Sequence, residues 1–232
     1  MIISKDNEKI KYINKLKQKK HRDKENKFLV FGDDLILEAK KHDVIIEVYT
    51  SNPNKGGTLV SKELMKQLNY TVTPFDTLAI CHKLLEKEPS SLILLLEDVQ
   101  DPDNVGALLR SASAFNFTTV ILSNKSADLY NDKTVRASKG ALFDLNIIRT
   151  DVISKAEELK SLGYKLYITD VNGSESPKLA AKSVLVLGNE GSGVSTQMKE
   201  LADESLTIKT SNVESLNVNV AGSILMYEWS KL

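Results

Sequence analysis

Three observations predict an α/β protein built from two unequal units. Strands and helices alternate along nearly the whole chain. The run SLILLLEDV (91–99) is apolar at successive positions, as in a parallel strand covered on both faces. The stretch LLEKEPSS (84–91), around Pro89, interrupts the alternation after the first 80-odd residues. A chain of 232 residues is long enough for one large domain or two modest ones. The composition shift places the boundary so that residues 1–86 form a small α/β unit and residues 87–232 a larger one with a mainly parallel sheet flanked by helices.

The elements follow in order. From Asp6 to about Lys20, Ile10, Ile13 and Leu16 recur every three residues and give a thin apolar stripe on a cationic helix. FLVFG (28–32) reads as a strand, DDLILEAKKH (33–42) as a helix capped by Asp33 or Asp34, VIIEVYT (44–50) as a strand and SNPNKGG (51–57) as a turn-rich loop. SKELMKQL (61–68) reads as a helix with Ser61 as N-cap, YTVT (70–73) as a strand, and PFDTLAICHKL (74–84) as a helix with Pro74 in its first turn. After the linker the expected order is strand 91–99, helix 104–116, strand TTVILS (118–123), a helix near 131–138, strand LFDLNII (142–148), helix 152–162 and strand YKLYITD (164–170). Strand SVLVLG (183–188), helix STQMKELA (195–202), strand ESLTI (204–208) and a helix from about Ser215 complete it. No internal repeat or low-complexity segment is present.

Net charge is zero, yet residues 1–27 hold ten Lys/Arg against four Asp/Glu, so the rest of the chain carries six net negative charges. An isolated Lys-rich helix is more often a solvated face than a binding site. Lys17, Lys19, Lys20 and Arg22, clustered just ahead of the first strand, would nevertheless gain affinity for a polyphosphate by counterion release, and they are the candidate nucleic-acid contacts. The longest apolar run is far shorter than a membrane span, and the N-terminus lacks a signal-peptide core. The single cysteine, Cys81, excludes an intrachain disulfide framework, and a reducing cytoplasm is the expected location. Three scattered histidines (His21, His42, His82) offer neither a zinc site nor a histidine-based triad, so no metal is expected.

Three segments carry the chemistry. In DPDNVGALLRSASAFNF (101–117), Gly106, Arg110 and Ser113 share one helix face and Leu108, Ala112 and Phe115 another. Taken alone, Asn104 reads as well as a helix cap and Arg110 as a surface ion-pair residue. Both, however, stand just beyond the carboxyl end of a buried strand, where open α/β sheets place ligands. In LGNEGSG (187–193) the glycines follow a strand and permit a sharp turn, while the order G-x-x-G-x-G, with no Lys after Gly193, matches neither the dinucleotide fingerprint nor the Walker loop. Glu190 inside that loop invites a donor-rich or cationic partner. In VESLNVNVAGSILMYE (213–228), Asn217 and Asn219 lead into an apolar helix and can read a hydroxyl or stitch backbone.

In this order and spacing the three segments resemble the signature motifs of the SpoU/TrmH family of RNA ribose 2′-O-methyltransferases, across the C-terminal 140 or so residues. KLKQKKHRDKENKFLVFGDDLILEA (15–39) resembles that family's N-terminal substrate-binding domain, which is akin to an RNA-binding ribosomal protein. The resemblance implies a trefoil knot in the C-terminal domain, a topology that general folding rules disfavour. It implies S-adenosylmethionine as cofactor, bound by Thr169, Leu187, Gly188, Asn189, Gly191, Ile208 and Leu216. It places Asn104, Arg110, Glu190, Ser215 and Asn217 at the reaction site, and it implies a homodimer formed through the knotted domain. Ribosomal RNA is favoured over transfer RNA because of the extra N-terminal domain. This chain departs from the family in having Lys209 near the usual proline position and Asn219 where a serine is usual. A non-catalytic RNA-binding module on the same scaffold is the rival reading, disfavoured because such a module needs none of the five reaction-site residues together.

Overall fold

The protein is described by a computed structural model covering residues 1–175, 180–213 and 215–231; Glu214 of the third motif lies outside the described residues. Two sheets organise the chain. The first has four strands in the order β1 (Lys27–Phe31), β4 (Thr77–His82), β2 (Ile45–Thr50), β3 (Thr58–Leu59). Around it lie α1 (Glu8–Leu16), α2 (Lys19–Glu25), α3 (Asp33–Lys41) and α4 (Lys62–Leu68).

Four local expectations are corrected here. The segment TLAICH is strand β4, antiparallel to both β1 and β2, and not a helix. Leu78, Ala79, Ile80 and Cys81 are all buried, so a run apolar on both sides fits a central strand, and burial pushes the Cys81 thiol up to about 12. YTVT is a bend instead of a strand, because the Asn69 carboxamide closes the loop: Nδ2 donates to the Met65 and Phe75 carbonyls and Oδ1 accepts from Phe75 N. The N-terminal helix is split at Gln18, whose backbone is extended (φ −96°, ψ 133°). Neither Asp33 nor Asp34 caps α3. Gly32 occupies the cap position with φ 90°, and Asp33 instead accepts from Thr77 Oγ1 at 2.8 Å and pairs with Lys55. Ser61 does cap α4, accepting from Leu64 N.

The second sheet has six strands, all parallel, in the order β10 (Glu204–Leu206), β8 (Lys165–Ser174), β9 (Ser183–Leu187), β5 (Leu92–Leu96), β6 (Thr119–Ser123), β7 (Asn146–Thr150). LFDLNII becomes a strand only from Asn146, since Gly140 (φ 91°) leads into a short 3-10 turn at Ala141–Phe143. The helices are α5 (Pro102–Ala114), α6 (Asp132–Ala137), α7 (Val152–Ser161), α8 (Thr196–Leu201) and α9 (Val218–Trp229). The chain therefore runs from β10 at the sheet edge back to α9, which packs on α5. Gly222 of α9 allows this, because a Cβ there would lie 2.6 Å from Leu108 Cδ2. Ser111 and Ser223 hydroxyls meet at 2.7 Å, and the Phe115 and Tyr227 rings are 5.7 Å apart. On another side of α5, Gly106 seats α6, where a Cβ would lie 2.7 Å from the Thr134 carbonyl oxygen. On the face that Gly106 shares with Arg110 and Ser113, the glycine is thus a helix contact.

The two units share one core. Phe28, Val30, Ala79 and Cys81 of the first pack in the same cluster as Leu94, Val105, Leu142 and Trp229 of the second. Arg22 locks this junction. Its side chain is 7% exposed, one amino group donates to the Leu16 carbonyl at 3.0 Å and to the Lys17 carbonyl at 2.6 Å, and the other pairs with Asp128. This withdraws Arg22 from the RNA-facing set, since both terminal amino groups are committed and Nε, which has no partner, is buried out of reach of a phosphate. Asp128→Ala leaves that buried cation unpaired, and a loss of about 3 kcal/mol in unfolding free energy is expected by denaturant titration.

Candidate active site

The carboxyl ends of β8, β9 and β10 open into a cavity of about 730 Å³. Thr169, Leu187, Gly188, Asn189, Gly191, Ile208 and Leu216 all line it, together with Glu190 and Ser215. The wall also carries charged groups of both signs: Lys199 pairs with Asp170 at 2.8 Å, and Lys209 lies 3.8 Å from Glu175. Its place beyond the strand ends follows the general rule for parallel sheets, and its volume is that of a site for a drug-sized ligand.

The glycine-rich loop is built to a single shape. A Cβ on Gly188 would collide with the backbone of Gly193 and Val194, so no other residue lets the loop fold back on itself. Asn189 and Gly193 exchange two backbone hydrogen bonds, at 3.1 and 2.9 Å. The Asn189 side chain is committed inside the loop: Oδ1 accepts from Gly191 N and Ser192 N, and Nδ2 donates to the Asp98 carbonyl. What Asn189 has left to offer the cavity is the second lone pair of its backbone carbonyl. Beyond the loop, buried Glu97 at the end of β5 accepts from Ser195 N at 2.9 Å and Ser195 Oγ at 2.6 Å, holding the start of α8.

Glu190 faces the opposite way, onto α5. Its carboxylate accepts from Gln100 N and Asp101 N at 3.2 Å each and from Asn104 Nδ2 at 3.0 Å. Partial burial alone would raise its pKa, but hydrogen bonds from Asn104 and from backbone N–H groups, its own included, outweigh that and hold it below the usual glutamate value. With a lowered folded-state pKa, the clamp is present at neutral pH and is lost only as pH falls through that lowered value. The donor-rich partner that a carboxylate in this loop invited is therefore protein, the N-terminus of α5.

Asn104 is freed for this role because Asp101 is the N-cap, accepting from Asp103 N at 2.7 Å and Asn104 N at 3.3 Å. Buried Asn104 then accepts on Oδ1 from Asn219 Nδ2 at 2.8 Å, and Asn217 caps α9 by accepting from Asn219 N at 2.9 Å. One polar chain thus joins the Gly-rich loop, α5 and α9: Glu190, Asn104, Asn219, Asn217. Sequence reasoning placed three of these at the reaction site and gave Asn219 a reading only as a loop amide and as a departure from the family. Its spacing from Asn217 at the start of a helix was the available signal. Arg110 stands apart, exposed, outside the cavity lining and with no hydrogen bond or ion pair among the described residues.

Comparison with known proteins gives the family. Residues 91–227 match the SpoU rRNA Methylase family, and residues 7–79 the MRM3-like substrate binding domain. A curated relative, the 23S rRNA (guanosine(2553)-2′-O)-methyltransferase RlmP of Bacillus subtilis, is 34% identical over 97% of each chain. A TrmH-family RNA methyltransferase structure from Porphyromonas gingivalis superposes with a TM-score of 0.84 at 30% identity, covering 94% of this chain and 95% of that one. The SpoU methyltransferase AviRb from Streptomyces viridochromogenes, solved with AdoMet, shares the fold with a TM-score of 0.85 at 23% identity, over 97% of each chain. The cavity fits that cofactor in size, in its mixed charges, and in a loop whose backbone is held open to it by Gly188. The chain belongs to the SpoU rRNA methylase family and is an S-adenosylmethionine-dependent RNA methyltransferase.

Proposed function

We propose that this protein methylates a ribose 2′-hydroxyl of 23S ribosomal RNA. On this reading residues 1–86 hold the RNA, residues 87–232 carry the reaction, and the guanosine named for the Bacillus subtilis relative is the first nucleotide to map. The observation that carries the reading is the joint presence of the strand-end cavity and the polar chain from Glu190 to Asn217 that braces its rim. The cofactor supplies a methyl on a sulfonium, an electrophile that needs no further activation. The protein's task is to hold a weak nucleophile in line and give its proton somewhere to go. Backbone of the 187–191 loop and the side chains of Thr169, Ile208 and Leu216 hold the cofactor. Glu190 and Asn104 act by positioning, because their polar atoms engage each other and α5. A guanidinium is a permanent cation and a poor base. Arg110 instead clamps the phosphate next to the target ribose bidentately, and that phosphate or a water would take the hydroxyl proton as the methyl exchanges its bond to sulfur for one to the ribose oxygen, leaving a neutral thioether. Ser215 and Asn217 fix the loop beside the hydroxyl. The test is transfer of labelled methyl to unmodified 23S rRNA, with mapping of the alkali-resistant linkage.

The RNA reaches the site along the basic N-terminal face. Lys19 and Lys20 are exposed and carry no ion pair among the described residues, whereas Lys17 donates to the Gln67 carbonyl and lies over the Tyr70 ring. Replacing both Lys19 and Lys20 by Ala should flatten the slope of log affinity against log salt by about 1.5, without altering cofactor affinity. The protein works as a homodimer in the cytoplasm. No helix among the described residues is long and apolar enough to cross a membrane. Val220, Ile224 and Tyr227 lie one helical face apart on α9 and are 44%, 37% and 47% exposed, an apolar strip continuous with the α5 contact. Ile224→Asp should convert the sedimenting species from dimer to monomer.

A further inference from the structure

The Asn219 carboxamide sets the direction of the whole polar chain. An ionised glutamate only accepts hydrogen bonds, so Glu190 forces Asn104 to present its Nδ2 group, which it does at 3.0 Å. The Asn104 carbonyl oxygen is thereby turned toward α9 and must be met by a donor. Asn219 Nδ2 is that donor, at 2.8 Å, and Asn219 is in turn fixed by Asn217 Oδ1 on its backbone N–H. Without a donor from α9 that oxygen is buried with no partner, and Glu190 alone is left to hold the Asn104 amide in one orientation. A serine hydroxyl at this position ends one bond short of the Asn219 amide nitrogen and also accepts as readily as it donates.

We propose that Asn219 is a positioning residue of the methyl-transfer site, one that locks the Asn104 amide in the orientation Glu190 requires. This rests on the function proposed above. The polarity is one-way: Asn219 donates to Asn104, Asn104 donates to Glu190, and Glu190 accepts from the α5 backbone as well. Reversing one end alone should therefore break the chain, and reversing both ends should restore much of it.

The experiment uses the full-length protein, S-adenosylmethionine and a 23S rRNA transcript, and measures kcat, KM for RNA, cofactor affinity by equilibrium dialysis, and Tm. Asn219→Asp replaces the donor by a second acceptor. With acceptors on both sides, the Asn104 oxygen is set against one carboxylate or the other whichever way the amide turns, and kcat should fall about 30-fold while cofactor affinity stays within about twofold. Adding Glu190→Gln supplies a donor at the other end, at the cost of the backbone bond from Asp101 N–H. The double variant should recover about tenfold over Asn219→Asp alone. Asn219→Asp turnover within about threefold of the unmodified enzyme, or a double variant no better than the product of the two single effects, would overturn the proposal. Failure of the unmodified enzyme to methylate 23S rRNA would instead sink the proposed substrate. The proposal would then be read from Tm alone, where positive coupling between positions 190 and 219 supports it and additivity overturns it.

Discussion

Gly188→Ala is expected to weaken S-adenosylmethionine binding by about 100-fold and to reduce turnover with it, the equivalent of about 3 kcal/mol. The added methyl has nowhere to go, because the atoms in its path are the backbone of Gly193 and Val194 and not the end of a side chain that can swing aside. Relief requires parting the paired Asn189 and Gly193 backbones, and with them the Asn189 carboxamide that organises Gly191 N and Ser192 N. A direct binding titration checks this without RNA. Gly163→Ala serves as control: Gly163 needs a positive φ (85°), but nothing lies within 4 Å of its would-be Cβ. That substitution should cost about 1 kcal/mol of stability and leave the cofactor site intact.

Arg110→Lys should lower kcat by about 100-fold at saturating RNA, nearly as far as Arg110→Ala. A lysine keeps the charge but offers a single point of contact, and the proposed clamp needs the planar two-pronged donor. Cofactor affinity should not change, because Arg110 does not line the cavity. Folding stability should not change by more than about 0.5 kcal/mol, because the side chain is exposed and makes no ion pair among the described residues. Near-full turnover by the lysine variant would remove the clamp from the mechanism.

How far the sequence carried these conclusions differs from residue to residue. The parallel sheet was legible because its central strands, LILLL and SVLVL, are apolar on both faces and are each followed by a polar, turn-forming loop. The seven residues expected to hold the cofactor line one cavity, but that convergence was legible only through resemblance: they lie in β8, at the end of β9 and in two later stretches, up to 47 positions apart from Thr169 to Leu216, and no periodicity links them. TLAICH was misread because a short buried run looks the same as strand or helix until its partners are known, and its partners lie some 50 and 30 residues upstream. Arg22 was misread because a charge count along the chain cannot see Asp128, 106 residues away. Asn219 was read as a loop amide but not paired, because its partner, Asn104, lies 115 residues away and only the packing of α9 on α5 brings the two amides together. The path of the chain from β10 back to α5 is likewise invisible to local pattern, which records what each segment buries and not the order in which segments thread.

The central claim is most directly tested by incubating the protein with labelled S-adenosylmethionine and unmodified 23S rRNA, with unmodified transfer RNA in parallel, and mapping alkali-resistant linkages. The account predicts a single ribose 2′-O-methyl in 23S rRNA that disappears with Arg110→Ala. Methylation of transfer RNA alone, or a methyl on a base, would contradict it.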